Sequence, residues 1–208
     1  MEKLVEGFKK FQAEIFGAKR ELFSRLSEGQ TPRALFITCS DSRIDPTLLT
    51  QTEPGELFIL RNAGNIVPSY GETMGGSTAT IEYAIAVLGV KHVIVCGHTD
   101  CGVMRALLHP ESVEDLPAVK SWMIQAETTR RIVRENYADL KGEDLLVTTI
   151  QENVRIQLDH LKTHPAVAVR LRRRTLTLHG WVYSIRTGDI WAYDEDKDAF
   201  VSLAAPVK

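Results

Sequence analysis

The stretch Val93-Ile94-Val95-Cys96-Gly97-His98-Thr99-Asp100-Cys101-Gly102 changes character in its middle. Its first five residues form a short apolar run, the pattern of a parallel strand buried on both faces, while Gly102 and Val103-Met104-Arg105-Ala106-Leu107-Leu108 begin a helix. Upstream, Leu57 to Leu60 reads as a strand and Thr78 to Leu88 as a helix with Ile81, Ala84, Ile85 and Leu88 on one face. Ser77 is the expected N-cap of that helix and Gly89 its stop. Strand, helix, strand of these lengths is a parallel crossover unit, so the quoted stretch sets the fold class as α/β.

A second apolar run, Ala34-Leu35-Phe36-Ile37-Thr38, gives another buried strand and delivers Cys39, as Val93 to Gly97 delivers His98. Both residues therefore sit at strand C-terminal ends, the edge at which open α/β sheets bind ligands. Cys101 lies at a helix N-terminus, where a thiolate is favoured. Cys39, His98 and Cys101 make a soft set suited to one Zn²⁺ per chain, and three protein ligands plus an exchangeable water is the catalytic zinc pattern. Asp41 and Arg43, two apart, can form an ion pair. In a purely structural reading that pair does nothing more. Beside a metal, an arginine-held carboxylate has two further uses: accepting a hydrogen bond from zinc-bound hydroxide, or becoming the fourth ligand. Asp100 is expected to face solvent or cap, Cys96 to be a small buried hydrophobe, and His92, His109, His160, His164 and His179 to be surface or packing residues.

Residues 2–28 place Leu4, Phe8, Phe11, Ile15, Leu22 and Leu26 near a helical period, with a break near Gly17. The stripe needs a cover, either its own domain or another chain. Asp45-Pro46 starts a short helical turn, Arg61 to Gly71 is a Gly/Asn-rich loop, and helices are expected from Pro117 to Tyr137 and from Glu143 to Leu161. Residues 175–185 alternate, with Leu176, Leu178, Gly180, Val182 and Ser184 on one side, and Thr187-Gly188-Asp189 turns into Ile190 to Tyr193. The expected architecture is one domain over 1–208: a central, mostly parallel sheet flanked by helices, an N-terminal helical arm (1–28) and a C-terminal antiparallel hairpin.

Bulk properties narrow the function. At 208 residues, 44% hydrophobic and 25% charged, the chain suits one soluble domain with a sizeable core. The net charge of 25 − 27 = −2 gives no basic field for nucleic acid, and Arg170, Arg172, Arg173 and Arg174 read as a solvated face. No run approaches the ~18–20 apolar residues of a membrane span. Three cysteines, two with better use as ligands, argue against disulfides and for a reducing, cytoplasmic setting.

The motifs C-x-D-x-R (Cys39 to Arg43) and H-x-x-C (His98 to Cys101), in that order, resemble those of the β-class carbonic anhydrases. The likeness continues through Glu53-Pro54-Gly55-Glu56-Leu57-Phe58, Arg61-Asn62-Ala63-Gly64-Asn65 and Ile81-Glu82-Tyr83-Ala84, covering about residues 30 to 190. It implies a zinc lyase interconverting CO₂ and bicarbonate by attack of zinc-bound hydroxide, with Asp41 orienting the nucleophile and Arg43 holding Asp41. Two thiolates weaken the zinc as a Lewis acid, so activity is expected at more alkaline pH than with three histidines. The resemblance further implies that Gln30, Phe58, Ala63 and Tyr83 line the substrate cleft, with the Gly102 N–H as a second donor. Ala63 departs from the family's larger valine. Phe58 and Tyr83 would come from a neighbouring subunit of a dimer or tetramer, although periodicity alone also allows plain core aromatics.

One branch of that family closes its zinc site when bicarbonate fills a pocket made by a tryptophan, an arginine and a tyrosine. Arg61 and Tyr183 have counterparts there, but Phe36 stands at the tryptophan position and cannot donate a hydrogen bond. Gln30 also matches the open-site, plant and cyanobacterial-type branch, which leaves a carboxysome or plastid stroma as other compartments. Two other functions fit the same residues: hydrolysis of carbonyl sulfide or carbon disulfide, and a structural zinc closed by Asp41 in a binding protein. A zinc deaminase does not fit, because the H-x-E and P-C-x-x-C signatures are absent.

Overall fold

The computed structural model describes residues 1–72 and 74–203. The chain divides into two compact units, Met1–Thr31 and a second that begins at Pro32. In the first, α1 (Glu2–Lys10) runs through a π-type turn (Phe11–Phe16), and α2 (Arg20–Glu28) follows a break at Lys19, close to Gly17. The rings of Phe11, Phe16 and Phe23 pack on one another, Phe16 stacking on Phe23 at 4.9 Å. None of the helical residues is buried, and Leu4 and Phe8 are 70% and 58% exposed.

The second unit is built on a six-stranded sheet of order β2-β1-β3-β4-β5-β6, comprising β1 (Ala34–Cys39), β2 (Leu57–Asn62), β3 (His92–His98), β4 (Thr177–Tyr183), β5 (Ile190–Asp194) and β6 (Ala199–Ser202). The first four strands in that order are parallel, and β5 and β6 are antiparallel. The terminal hairpin thus gains a third strand, β6, that alternation over 190–193 did not announce. The helices are α3 (Pro46–Thr50), α4 (Gly76–Glu82, continued by a π-type turn to Val87), α5 (Gly102–Leu108), α6 (Pro117–Met123), α7 (Glu127–Asn136), α8 (Gly142–Thr163) and α9 (Pro165–Arg172).

Residues of β1 and β3 are buried on alternate faces, so each strand reads as a continuous apolar run. Leu35, Ile37, Val93 and Val95 enter the main core with Val154 and Leu158 of α8 and Ile81 and Ile85 of the α4 segment. Phe36, Ile94 and Cys96 enter a second cluster with Ile44, Trp181 and Tyr183. Each such side chain contributes ~1.5–3 kcal/mol on burial. Alternation also held along β4 and just past its end, where Gly180, Val182 and then Ser184 are buried. Gly180 is used because a Cβ there would stand 2.8 Å from Val154 Cγ1 and 3.0 Å from Leu158 Cδ1.

Three expectations change. The N-cap of α4 is Gly75 rather than Ser77, whose hydroxyl lies 3.4 Å from the Asn62 amide. The expected helix from Pro117 to Tyr137 is divided by a 3₁₀ turn at Ile124–Ala126. α9 was not anticipated: Pro165 occupies its first turn and starts a new helix where the charge run suggested only a polar face.

The connections decide where a site can form. From β1 the chain crosses to β2 on one side, whereas from β3 it continues to β4 on the other, so the strand order reverses between β1 and β3. A crevice opens beyond the C-terminal ends at such a point. Cys39 and His98 are the last residues of those two strands.

Candidate metal centre

Cys101, the N-cap residue of α5, completes the group, and one ligand atom from each of Cys39, His98 and Cys101 lies within 4.8 Å of the others. The imidazole of His98 is fully buried. Its Nδ1 lies 2.9 Å from the Thr99 carbonyl oxygen, which makes Nδ1–H the donor and leaves Nε2 as a bare lone pair. Among the described residues Nε2 has no hydrogen-bond partner. An orphaned buried nitrogen of this kind costs ~1–3 kcal/mol unless something accepts its lone pair.

The sulfurs point the same way. The Cys39 thiol is lowered, chiefly by the hydrogen bond from Cys101 and further by the Gly64 N–H at 3.3 Å. The Cys101 thiol is raised, as donor to the adjacent Cys39 thiolate and by burial. The helix-terminus effect expected to favour a Cys101 thiolate is present, through the N–H groups of Met104 and Val103, but the neighbouring thiolate outweighs it. Two sulfurs sharing one proton beside a bare imidazole nitrogen fit a borderline-soft dication, which would displace that proton and take all three donors.

Asp41 follows on the turn after β1, with Oδ2 3.9 Å from His98 Nε2. Arg43 grips it bidentately, Nε donating to Oδ1 at 2.9 Å and Nη2 to Oδ2 at 2.7 Å, with the Arg43 backbone N–H adding a third bond to Oδ1. These bonds hold the Asp41 carboxyl far below the usual carboxylate range. Asp100 faces solvent, as expected, but two arginines hold it there. Its carboxylate accepts from Arg43 Nη1 at 3.0 Å and from Arg105, and its carbonyl from Arg43 Nη2.

The carbonic anhydrase family model matches residues 34–190. The chain belongs to the β-carbonic anhydrase family. It is 49% identical over 203 residues to a carbonic anhydrase of Synechocystis sp., covering 97% of this chain and 74% of that protein. Its fold superposes on that of the β-carbonic anhydrase CcaA with a TM-score of 0.95 at 49% identity, covering 97% and 98% of the two chains. A structure described as one of two tetrameric β-carbonic anhydrases from Sordaria macrospora matches with a TM-score of 0.73 at 28% identity, covering 98% and 93%. The expectations of this family, of an enzyme and of a mixed, mostly parallel sheet therefore hold.

In this carbonic anhydrase fold the expected cleft residues of the second unit fall into two pairs. Ala63 adjoins the centre: it precedes Gly64, and its carbonyl accepts the Trp122 indole N–H at 2.8 Å. Gly102 opens α5, where the first amides lack intrahelical acceptors. Phe58 pairs in register with Leu35, four residues or ~13 Å back from Cys39. Its ring lies 6.1 Å from that of Tyr83, which is half exposed. Gln30 belongs to the other unit. A cavity of about 940 Å³ opens instead on Arg43, Asp100, Arg105, Lys141, Arg186 and Trp191, and none of the three metal-ligand residues lines it.

Sequence reasoning missed several supports. Arg61 donates to the carbonyls of Cys39, Asp41 and Ile44 and so shapes the turn that carries Asp41. Gly64 gives its N–H to Cys39. Both lie in a quoted motif, yet nothing local says which atoms an arginine or a loop amide will meet. His160 and His164, expected to be surface or packing residues, bond the carbonyls of Val67 and Pro68. Cys96 is fully buried with its thiol pushed up by desolvation, the inert hydrophobe expected.

Proposed function

We propose that the protein catalyses the reversible hydration of CO₂ to bicarbonate and a proton, with Zn²⁺ held by Cys39, His98 and Cys101. The observation that carries this is the buried, unpartnered His98 Nε2 facing two sulfurs, in a chain of the β-carbonic anhydrase family. When bound, zinc would lower the pKa of a water and so supply the nucleophile, at more alkaline pH than a zinc held by three histidines.

The chain's own residues do the rest. Asp41, kept ionised by Arg43, presents Oδ2 as an acceptor that turns the nucleophile's lone pair towards CO₂. Arg43 prevents that carboxylate from swinging to the metal. The Gly102 N–H and the Gln30 amide donate to substrate oxygen. Ala63, Phe58 and Tyr83 wall a small apolar cleft that excludes bulk water.

Because Phe58 and Tyr83 stand away from their own chain's centre, this reading has them serve a neighbouring subunit's site. The exposed Leu4 and Phe8 stripe and the tetrameric relative support a dimer or tetramer. Residues 1–208 act together as one domain with 1–28 as an arm. Three free, buried cysteines suit a reducing, cytoplasmic setting, and no described helix is long and apolar enough to cross a membrane.

Stopped-flow CO₂ hydration on protein of verified zinc content, followed over pH, tests the activity. Turnover rising with pH is expected, and an inert zinc-loaded protein would favour structural zinc. Full zinc occupancy in Cys101→Ala would remove the ligand assignment.

A further inference from the structure

The loop after β2 reaches the metal centre through a difficult backbone. Gly64 and Asn65 are consecutive residues at positive φ, +79° and +49°, and a Cβ on Gly64 would stand 2.9 Å from Val103 Cγ1. A side chain at 64 is therefore barred by space as well as by conformation. The Asn62 side chain closes the turn on Ile66 in both directions and the Trp122 indole holds the Ala63 carbonyl, but Gly64 itself, whose N–H meets Cys39 Sγ, still needs support at its own carbonyl.

One face of α8 supplies it. Asn153 and Gln157, one turn apart, are 1% and 0% exposed. Gln157 Oε1 accepts the Val67 N–H at 2.8 Å, which turns its Nε2 towards Asn153 Oδ1 at 2.9 Å. Asn153 must then direct Nδ2 at the Gly64 carbonyl, 3.1 Å away. Reversing either amide would set donor against donor, so the relay has one self-consistent orientation. Further along the same face, His160 and His164 take the carbonyls of Val67 and Pro68, and Thr163 Oγ1 accepts the Tyr70 N–H. The loop is thus laced to α8 from Gly64 to Tyr70. Only the Asn153 end touches a residue that also touches a metal-ligand sulfur.

We infer that Asn153 and Gln157 are positioning residues for the metal centre, fixing the Gly64 N–H on the Cys39 sulfur from a helix outside both signature motifs. This rests on the proposal that Cys39, His98 and Cys101 hold a metal. An N–H bond draws charge off a thiolate and makes it a weaker donor, so partners of this kind tune both metal affinity and the electronic state of the ion.

The test uses the full-length protein loaded with Co²⁺, reading the sulfur-to-cobalt charge-transfer band and the rate of cobalt loss to a chelator. In Asn153→Leu the band should move to longer wavelength, because the sulfur lone pairs rise when the bond is lost, and affinity should still fall by ~10–100-fold, because a sulfur no longer held in place costs more than its stronger donation returns. Thr163→Val removes a bond at the far end of the same lacing and should leave band and loss rate as in the unsubstituted protein. A folded Asn153→Leu with an unshifted band, or a Thr163→Val that shifts it equally, would overturn the inference. If Asn153→Leu does not fold, the near-isosteric Gln157→Glu decides. Where its carboxyl is ionised, which the infrared carboxylate stretch verifies, it keeps the acceptor for Val67 and withdraws the donor to Asn153, so a smaller shift in the same direction is expected and no shift refutes. Absence of any sulfur-to-cobalt band in the unsubstituted protein would instead take down the metal assignment, a separate result.

Discussion

Arg43→Ala is the substitution whose consequence the geometry defines best. It deletes the Nε–Oδ1 and Nη2–Oδ2 bonds, 2.9 and 2.7 Å, and leaves Asp41 on the single backbone bond from residue 43. The Asp41 carboxyl returns towards the ordinary carboxylate range, since the Arg43 side chain is the largest cause of its depression. It also becomes free to rotate. Oδ2 already lies 3.9 Å from His98 Nε2, so a small rotation carries it to the fourth position of a metal on that nitrogen. Loss of one such outer partner typically costs ~10–100-fold in activity, and that fall in CO₂ hydration is expected with metal content unchanged. Arg43→Lys should fall less, because an ammonium is a point donor that cannot span both carboxylate oxygens. Stopped-flow hydration paired with metal analysis on the same samples measures both quantities. Unsubstituted-level turnover in metal-replete Arg43→Ala would refute the positioning role, and zinc loss equal to that of Cys101→Ala would show that Arg43 supports binding instead.

Four further outcomes follow from the same structure. Bicarbonate should give no cooperative inhibition, and a crystal structure at alkaline pH should show no Asp41 oxygen at ~2.0–2.2 Å from zinc. Phe36 packs against Trp181 with rings 6.1 Å apart, and the Arg61 guanidinium is spent on three carbonyls; sigmoidal inhibition kinetics would contradict this. The chain should sediment as a dimer or tetramer, and Leu4→Glu with Phe8→Glu should shift it towards monomer; a strict monomer at the outset counts against a shared cleft. Gly180→Ala should cost ~1–3 kcal/mol by overpacking against Val154 and Leu158, measured by urea unfolding, whereas Gly76→Ala, whose Cβ meets nothing within 4 Å among the described residues, should not. Burial lowers the His164 pKa, so the neutral ring is favoured in the fold and the unfolded chain takes up more protons. That stability is fully present above about 6.5, the ordinary histidine value, and is lost as pH falls below it. A urea midpoint with the same pH slope in His164→Leu would exclude that histidine.

The sequence alone determined the parts of this protein whose cause is local. Runs such as Leu35 to Ile37 and Val93 to Val95 must be buried strands because no polar residue interrupts them, and alternation from Leu176 to Ser184 could only serve a sheet with unequal faces. The ligand types were legible for the same reason: thiolate and imidazole at strand ends have few other uses, and Asp41 with Arg43 are near enough in sequence to pair. What only the tertiary structure decided is which distant atoms meet. Strand order placed Cys39 beside His98, 59 residues apart in the sequence but on neighbouring strands. The Arg61 guanidinium found the Cys39 turn across a parallel pair. Asn153, on a helix with no motif, came to face Gly64, 89 residues away. Hydrogen bonds of this sort are set by the direction of single side chains within a packed core. Periodicity carries which face a residue takes, but not which partner waits there.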